Sequence, residues 1–121
     1  MSQDNFSFAS LILPEELFNY FDVLSIEKDP FSVKIHLDEK NEIPEEFEDR
    51  NLHSNGFHKT IIVQDFPLRE RMVFLHIRRR RWLDQDTQES LSRDWKLVAK
   101  GSRYTEGFAT FLKELYGSFS Y

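Results

Sequence analysis

Apolar and polar residues alternate most regularly between residues 31 and 40 of this chain. Phe31, Val33, Ile35 and Leu37 occupy alternate positions, and polar residues fill the positions between them. Because successive side chains of a strand point to opposite faces, the pattern predicts a strand with one buried and one solvated face. A sheet with one solvated face is typically antiparallel, so we expect antiparallel pairing.

Weaker patterns of the same kind occur elsewhere in the chain. Further strands are predicted at residues 57–63, 72–83 and 95–100. Asn55-Gly56 and the polar residues 84–92 are typical of turns. The acidic residues between 41 and 55 predict a solvated loop with one helical turn after Pro44.

Helical signals lie near both ends of the chain. Pro14 begins a predicted helix of about nine residues with apolar side chains at helical spacing. Residues 1–12 show no clear period and are expected to form a loose arm. Thr105 is a predicted N-cap for a second helix, which Gly117 ends.

Composition narrows the class of protein. Hydrophobic residues make up 40% of the 121 residues, which suffices for the core of one domain, and no apolar run approaches the roughly 18 residues of a membrane span. The chain has no cysteine, so disulfides and cysteine-ligated zinc are excluded. We expect a soluble intracellular protein without a membrane partner.

The net charge of −5 hides a strong asymmetry along the chain. Residues 1–66 hold fourteen acids and five bases, a net charge of −9, whereas residues 67–121 hold seven acids and eleven bases, a net charge of +4. No linker separates these acidic and basic parts. We therefore expect residues 1–121 to form a single domain, with a tightly packed pair of subdomains as the alternative.

The most distinctive local feature is a run of four arginines at the end of the predicted long strand. Alternation would place Arg78 and Arg80 on one face and Arg79 and Arg81 on the other. Since burying unpaired charge is costly, the run predicts a two-sided basic ribbon that protrudes beyond the sheet. Such a ribbon suits a nucleic-acid groove, because arginine donates forked hydrogen bonds to phosphate and guanine.

If the chain turns back within residues 84–93, Trp82 and Trp95 lie opposite each other in a long basic β-hairpin. Its returning arm would carry the further cations Arg93, Lys96, Lys100 and Arg103. The predicted fold is therefore α+β, with a small antiparallel sheet, this hairpin and short helices near each terminus. Two interpretations of the cations stay open. They bind DNA, or they are solvated edge charges that prevent aggregation or pair with the acidic loop.

Catalytic and metal chemistry is weakly indicated. His53 and His58 flank the Asn-Gly turn without carboxylates at ligand spacing, so we expect no metal and no cofactor. A nuclease-like site built from His36, Asp38 and Glu39 is a third alternative, but no motif spacing supports it. We expect this chain to be no enzyme and to have no catalytic residue.

Three segments carry a resemblance to a known family. Residues 73–83 read VFLHIRRRRWL, residues 92–101 read SRDWKLVAKG and residues 103–109 read RYTEGFA. The first resembles the strand that opens the N-terminal zinc-binding domain of a group of bacterial insertion-sequence transposases. The whole chain is similar to the transposase N-terminal-region proteins of Bacteroidetes-type mobile elements, which are encoded beside the catalytic transposase.

The family's paired cysteines are missing, because residues 82–86 read WLDQD where relatives bind zinc. The resemblance thus implies a zinc-ribbon-like hairpin without zinc, in which Trp82 and Trp95 replace the metal. It also implies a bacterial cytoplasmic protein, nucleoid-associated when bound. Its role would be that of an accessory, non-catalytic transposase component. Its partners would be the double-stranded DNA of transposon ends and the catalytic transposase subunit. The alternative is a protein-interaction module without direct DNA binding.

Overall fold

The computed structural model describes residues 3–100 and 105–118, and it has an α+β fold, as predicted. The described residues form two small, mainly antiparallel sheets and three short α-helices near the ends of the chain. The strands are β1 (Phe21–Lys28), β2 (Ser32–Glu39), β3 (Leu52–Phe57), β4 (Ile61–Leu68), β5 (Arg71–Arg78), β6 (Arg80–Asp84) and β7 (Ser90–Leu91). The helices are α1 (Gln3–Ile12), α2 (Trp95–Lys100) and α3 (Glu106–Gly117), with short 3-10 helices at Glu15–Asn19 and Glu45–Phe47.

The larger sheet has the strand order β1-β2-β5-β4 and is built around β2, the strand with the most regular pattern. Val33, Ile35 and Leu37 are buried as predicted, whereas Phe31 lies before the strand and is 78% exposed. β2 pairs antiparallel with β1 but parallel with β5. The expectation of antiparallel pairing is therefore wrong for β2 and β5, because residues 40–70 form a crossover connection that is long enough for parallel pairing.

The core lies between this sheet and the helices. Inward side chains of all four strands pack against α1, α2 and α3, and each fully buried Val, Leu or Phe contributes about 1.5–3 kcal/mol. Thr105 caps α3 by accepting a hydrogen bond from the Phe108 N–H at 3.3 Å, so the predicted cap is confirmed. The smaller sheet, with the order β3-β6-β7, buries Leu52 and Trp82 outside this core.

Three predicted elements at the ends of the chain differ in the structure. Residues 1–12 were expected as a loose arm, but α1 forms there and buries Ala9. The helix predicted after Pro14 is a single 3-10 helix, and β1 takes over at Phe21. Residues 95–100 form α2 rather than a strand, because the Asp94 carboxylate accepts hydrogen bonds from two backbone N–H groups at its start.

Three further differences fall around the arginine run. The predicted long strand breaks at Arg79, so that β5 lies in the larger sheet and β6 in the smaller one. Asn55-Gly56 lies inside β3 at a register shift rather than in a turn between strands. The predicted long hairpin is replaced by a short one, in which β6 pairs with the two-residue strand β7.

Candidate functional site

Arg78 ends β5 beside Asp38 of the parallel strand β2. Its Nε donates to Asp38 Oδ1 at 2.6 Å and its Nη2 donates to Oδ2 at 2.5 Å, which is a bidentate ion pair. The hydrogen bonds that Arg78 donates to Asp38 raise the pKa of its guanidinium above the usual value. The guanidinium carbon also lies 4.1 Å from the ring centroid of Phe57. Arg78 is therefore held by an acidic and an aromatic partner.

Arg80 joins the two sheets. Its backbone N–H donates to Glu39 Oε1 at 3.0 Å and its Nε donates to the Glu39 carbonyl oxygen at 3.2 Å, both on the larger sheet. Its Nη1 donates to Ser54 Oγ at 2.5 Å, on the smaller sheet. The guanidinium carbon lies 4.5 Å from the Phe57 ring centroid, so Phe57 contacts two arginines of the run.

The other two arginines of the run have different surroundings. Arg79 is half-buried, and its carbonyl oxygen accepts a hydrogen bond from the His58 N–H at 2.8 Å. Arg81 is exposed on the smaller sheet. Burial lowers the pKa of His58, and the positive charges of Arg79 and Arg81 lower it further.

The cations of the predicted returning arm do not form an arm. Arg93 lies largely buried, with Nη2 3.3 Å from Glu46 Oε1 and the guanidinium 4.8 Å from the Tyr20 ring centroid. Lys96 of α2 lies with Nζ 5.7 Å from the Tyr116 ring centroid. Lys100 is exposed at the end of α2, and Arg103 and Gly101 lie outside the described residues.

The prediction of a protruding two-sided ribbon is therefore wrong, because the arginine run does not extend beyond the sheets as such a ribbon. Arg78, Arg80 and Arg93 have acidic or aromatic partners that lie far before them in the sequence. The alternative in which arginines pair with the acidic loop is realised by Arg93 and Glu46. DNA binding by these residues stays a prediction.

The predicted pairing of Trp82 with Trp95 across a hairpin is also wrong. Trp82 lies on β6 opposite Leu91, whereas Trp95 begins α2 and stacks on Phe21 with ring centroids 5.1 Å apart. Both indoles are buried, but in different sets of contacts, because the chain between them ends in a helix rather than a strand.

Glu39 is the most unusual ionisable group near the arginines. Its side chain is 3% exposed at the end of β2. Burial raises its pKa to about 7, although the Arg80 N–H and the charges of Arg93, Arg80 and Arg79 favour the ionised form. The group is thus a buried acid placed where the two sheets meet.

The residues of the nuclease alternative converge only in part: His36 and Asp38 line one small pocket, and Glu39 is not among its lining residues. Asp38 is bound to Arg78, and Glu39 lies next to it on the strand and so points to the opposite face. His36 instead contacts His76, with ring centroids 4.8 Å apart, and Glu27, with Nε2 and Oε1 3.0 Å apart. Within residues 3–100 and 105–118, no three His, Asp or Glu side chains are grouped as a metal site requires.

The structure also has an open cleft of about 750 Å³ between β4 and α3, which the sequence did not indicate. Its apolar part includes the buried residues Leu13, Val63, Leu75 and Phe111. The rest of the lining consists of Leu11, Ile12, Pro14, Gln64, Asp65, Phe66, Pro67, Thr105, Gly107, Thr110 and Glu114. It was missed because its residues come from four separate segments, namely 11–14, 63–67, Leu75 and 105–114, and only the packing of α1 and α3 on the sheet brings them together.

Comparisons with known proteins give no relative for this chain. No protein-family model, curated protein or solved structure matches it. Among the described helices, none has the length and apolar character needed to cross a membrane.

Proposed function

We propose that this chain is a non-enzymatic protein-interaction module that holds its partner in the cleft between β4 and α3. The observation that carries the proposal is the contrast between two surfaces. Arg78, Arg80 and Arg93, three of the arginines expected to contact DNA, make contacts within the fold. The cleft, in contrast, is open and bordered by the exposed side chains of Leu11 and Phe66. Open apolar surfaces of this kind are typical of interaction sites.

The chemistry of the cleft favours binding over catalysis. Its polar side chains are those of Gln64, Asp65, Thr105, Thr110 and Glu114. This set contains no histidine, cysteine or lysine. It therefore offers no such side chain to act with a hydroxyl or carboxylate as a catalytic pair of nucleophile and general base. An accessory role in transposition stays a prediction that rests on the resemblance, and in that role the catalytic subunit would be the partner.

Site-specific photo-crosslinking in the host cell tests the proposal. A photoreactive amino acid replaces Thr110, which lines the cleft, or Lys113, which is exposed on the same helix outside it. We expect a defined protein adduct from position 110 and none from position 113. The same adducts from both positions, or none from either, would contradict the proposal.

A gel shift with duplex DNA tests the DNA prediction separately. If the chain binds DNA through free cations, the exposed Arg81 should matter more than Arg78, which is paired with Asp38. Each lost phosphate contact should reduce the slope of log affinity against log salt by about 0.9. A protein that crosslinks at position 110 and shows no salt-dependent shift would support protein binding alone.

A further inference from the structure

β4 forms an edge of the larger sheet that is open to another strand. It pairs with β5 on one side, and no strand lies on its other side within the described residues. No backbone hydrogen bond other than this ladder is found for residues 61–65 in the described part of the chain. Unpaired backbone groups of this kind are a template for strand addition.

The two edges of the sheet differ in how they are protected. The opposite edge, β1, contains charged residues, among them Asp22 and Glu27, and has a register shift in its middle. In β4 the residues Ile61, Ile62, Val63 and Gln64 are uncharged, and the irregularity and Pro67 come only after Asp65. Charges, bulges and proline are the usual means of blocking strand addition, so β4 is the edge left available.

A strand added to β4 would reach the cleft directly. Paired residues of neighbouring strands share a face of the sheet, so alternate side chains of the added strand would lie on the face of Val63 and Leu75. That face is the apolar part of the cleft. The backbone edge and the side-chain pocket therefore form one continuous surface.

The charges of the cleft define the chemistry of its occupant. Asp65 and Glu114 are the charged residues of its lining, and both are carboxylates. A second copy of this chain paired edge to edge through β4 would place these carboxylates of both copies beside one shared groove, which like-charge repulsion disfavours. A segment with lysine or arginine would complement them.

We infer that the cleft takes an extended, basic segment of a partner protein, which adds to β4 as a fifth strand with alternate apolar side chains in the cleft. Asp65 lies on the same face as Val63, so a lysine or arginine at an end of the cleft-facing row would meet Asp65 and Glu114. The inference rests on the proposed function and specifies the partner's chemistry.

Fluorescent nine-residue peptides with the full chain test this inference. Both peptides have valine at positions 3, 5 and 7 and serine at the even positions. Positions 1 and 9, which share the face of the valines, are lysine in one peptide and glutamate in the other. We expect the basic peptide to bind at least tenfold more tightly. Asp65→Asn with Glu114→Gln should reduce that preference severalfold, because each replacement keeps the shape and removes the charge.

Backbone pairing and location are tested with the same basic peptide. N-methylation of alternate residues removes the N–H groups of one edge, so one of the two methylation patterns should abolish binding and the other should not. Thr110→Trp should weaken binding at least tenfold by filling the cleft. Lys113→Trp on the same helix is the control and should have no effect. Equal binding of the two methylated peptides, or equal effects of the two tryptophans, would overturn the inference.

The outcomes separate this inference from the proposed function. If position 110 crosslinks to a partner but the basic peptide does not bind, the cleft is an interaction site for another kind of segment and the inference is wrong. If the chain dimerises and Thr110→Trp abolishes the dimer, the occupant is a second copy and the inference is again wrong.

Discussion

Arg78 and Arg81 belong to the same run of arginines, yet they differ in what surrounds them. Arg78 donates two hydrogen bonds to Asp38, which is 8% exposed, whereas Arg81 is exposed. Arg78→Ala would leave a buried carboxylate without its cation, and we expect the free energy of unfolding to fall by about 1–3 kcal/mol. Arg81→Ala is the matched control, with an expected change of about 0.5 kcal/mol or less. Urea denaturation measures both, and equal losses would contradict a structural role for Arg78.

Glu39 makes the free energy of unfolding depend on pH. Burial raises its pKa from 4.5 to about 7, so the folded chain holds this proton more tightly than the unfolded chain between those values. The contribution of Glu39 to stability is therefore lost as the pH rises from about 4.5 to about 7. Glu39→Gln keeps an oxygen that can accept the Arg80 N–H but does not ionise.

We expect Glu39→Gln to become more stable relative to the unchanged chain as the pH rises from about 5 to about 8. At about 1.4 kcal/mol per pKa unit, the relative gain should be on the order of 2–4 kcal/mol. Urea denaturation of both proteins at the two pH values measures it. A difference that stays constant with pH would show that the carboxyl titrates normally in the folded chain.

At the scale of elements, the bend in β3 depends on Gly56. The register with β6 shifts between Ser54 and Phe57, and Gly56 has a φ of +76°. A Cβ at this position would lie 3.9 Å from Arg81 Nη2, an ordinary contact distance, so the cost of a side chain is conformational rather than steric.

We therefore expect Gly56→Ala to lower the free energy of unfolding by about 1–2 kcal/mol. Gly56→Asn should cost less, because asparagine adopts positive φ more readily, and Gly56→Val should cost more. Urea denaturation of the three variants gives the order. Equal costs would mean that the bulge relaxes and that φ at this position does not matter.

The elements predictable from sequence are those whose pattern is local. The alternation in β2 and the spacing of Phe108, Phe111 and Leu115 in α3 each identify a buried face, so strand and helix were predicted correctly. α1 was missed because its Leu11 is 83% exposed, which hides the period of the buried side. α2 was missed because six residues are too few to distinguish the periodicity of a helix from that of a strand. The hydrogen bonds that Asp94 accepts at its start favour the helix.

The candidate site was less predictable than the elements, because it depends on residues that are distant in sequence. From the sequence, Arg78 and Arg80 were expected to be unpaired cations. Their partners Asp38 and Glu39 lie about forty residues earlier, so no local pattern shows the contacts. Their pairing follows from the parallel contact of β2 with β5, which no local pattern encodes. The cleft between β4 and α3 requires the whole fold for the same reason.

At the scale of the whole molecule, the acidic and basic parts of the sequence meet inside one structure. Asp38 pairs with Arg78 and Glu46 with Arg93 across the boundary between residues 66 and 67. The larger sheet also crosses it, because β2 and β5 come from opposite sides of the boundary. Acidic and basic residues from the two parts of the sequence thus form ion pairs with each other within the fold. The charge asymmetry is therefore not by itself evidence that residues 67–121 bind DNA.

This arrangement predicts how two fragments behave when the chain is cut in the turn between β4 and β5. Each fragment lacks a neighbour of its central strand, so we expect each alone to show no cooperative thermal transition by circular dichroism. Mixing them should restore the transition, because β2 and β5 can pair again. Since the fragments carry opposite net charge, association should slow by about tenfold or more between low and high salt. A cooperative transition in either fragment alone would instead show that the acidic and basic parts are separate subdomains.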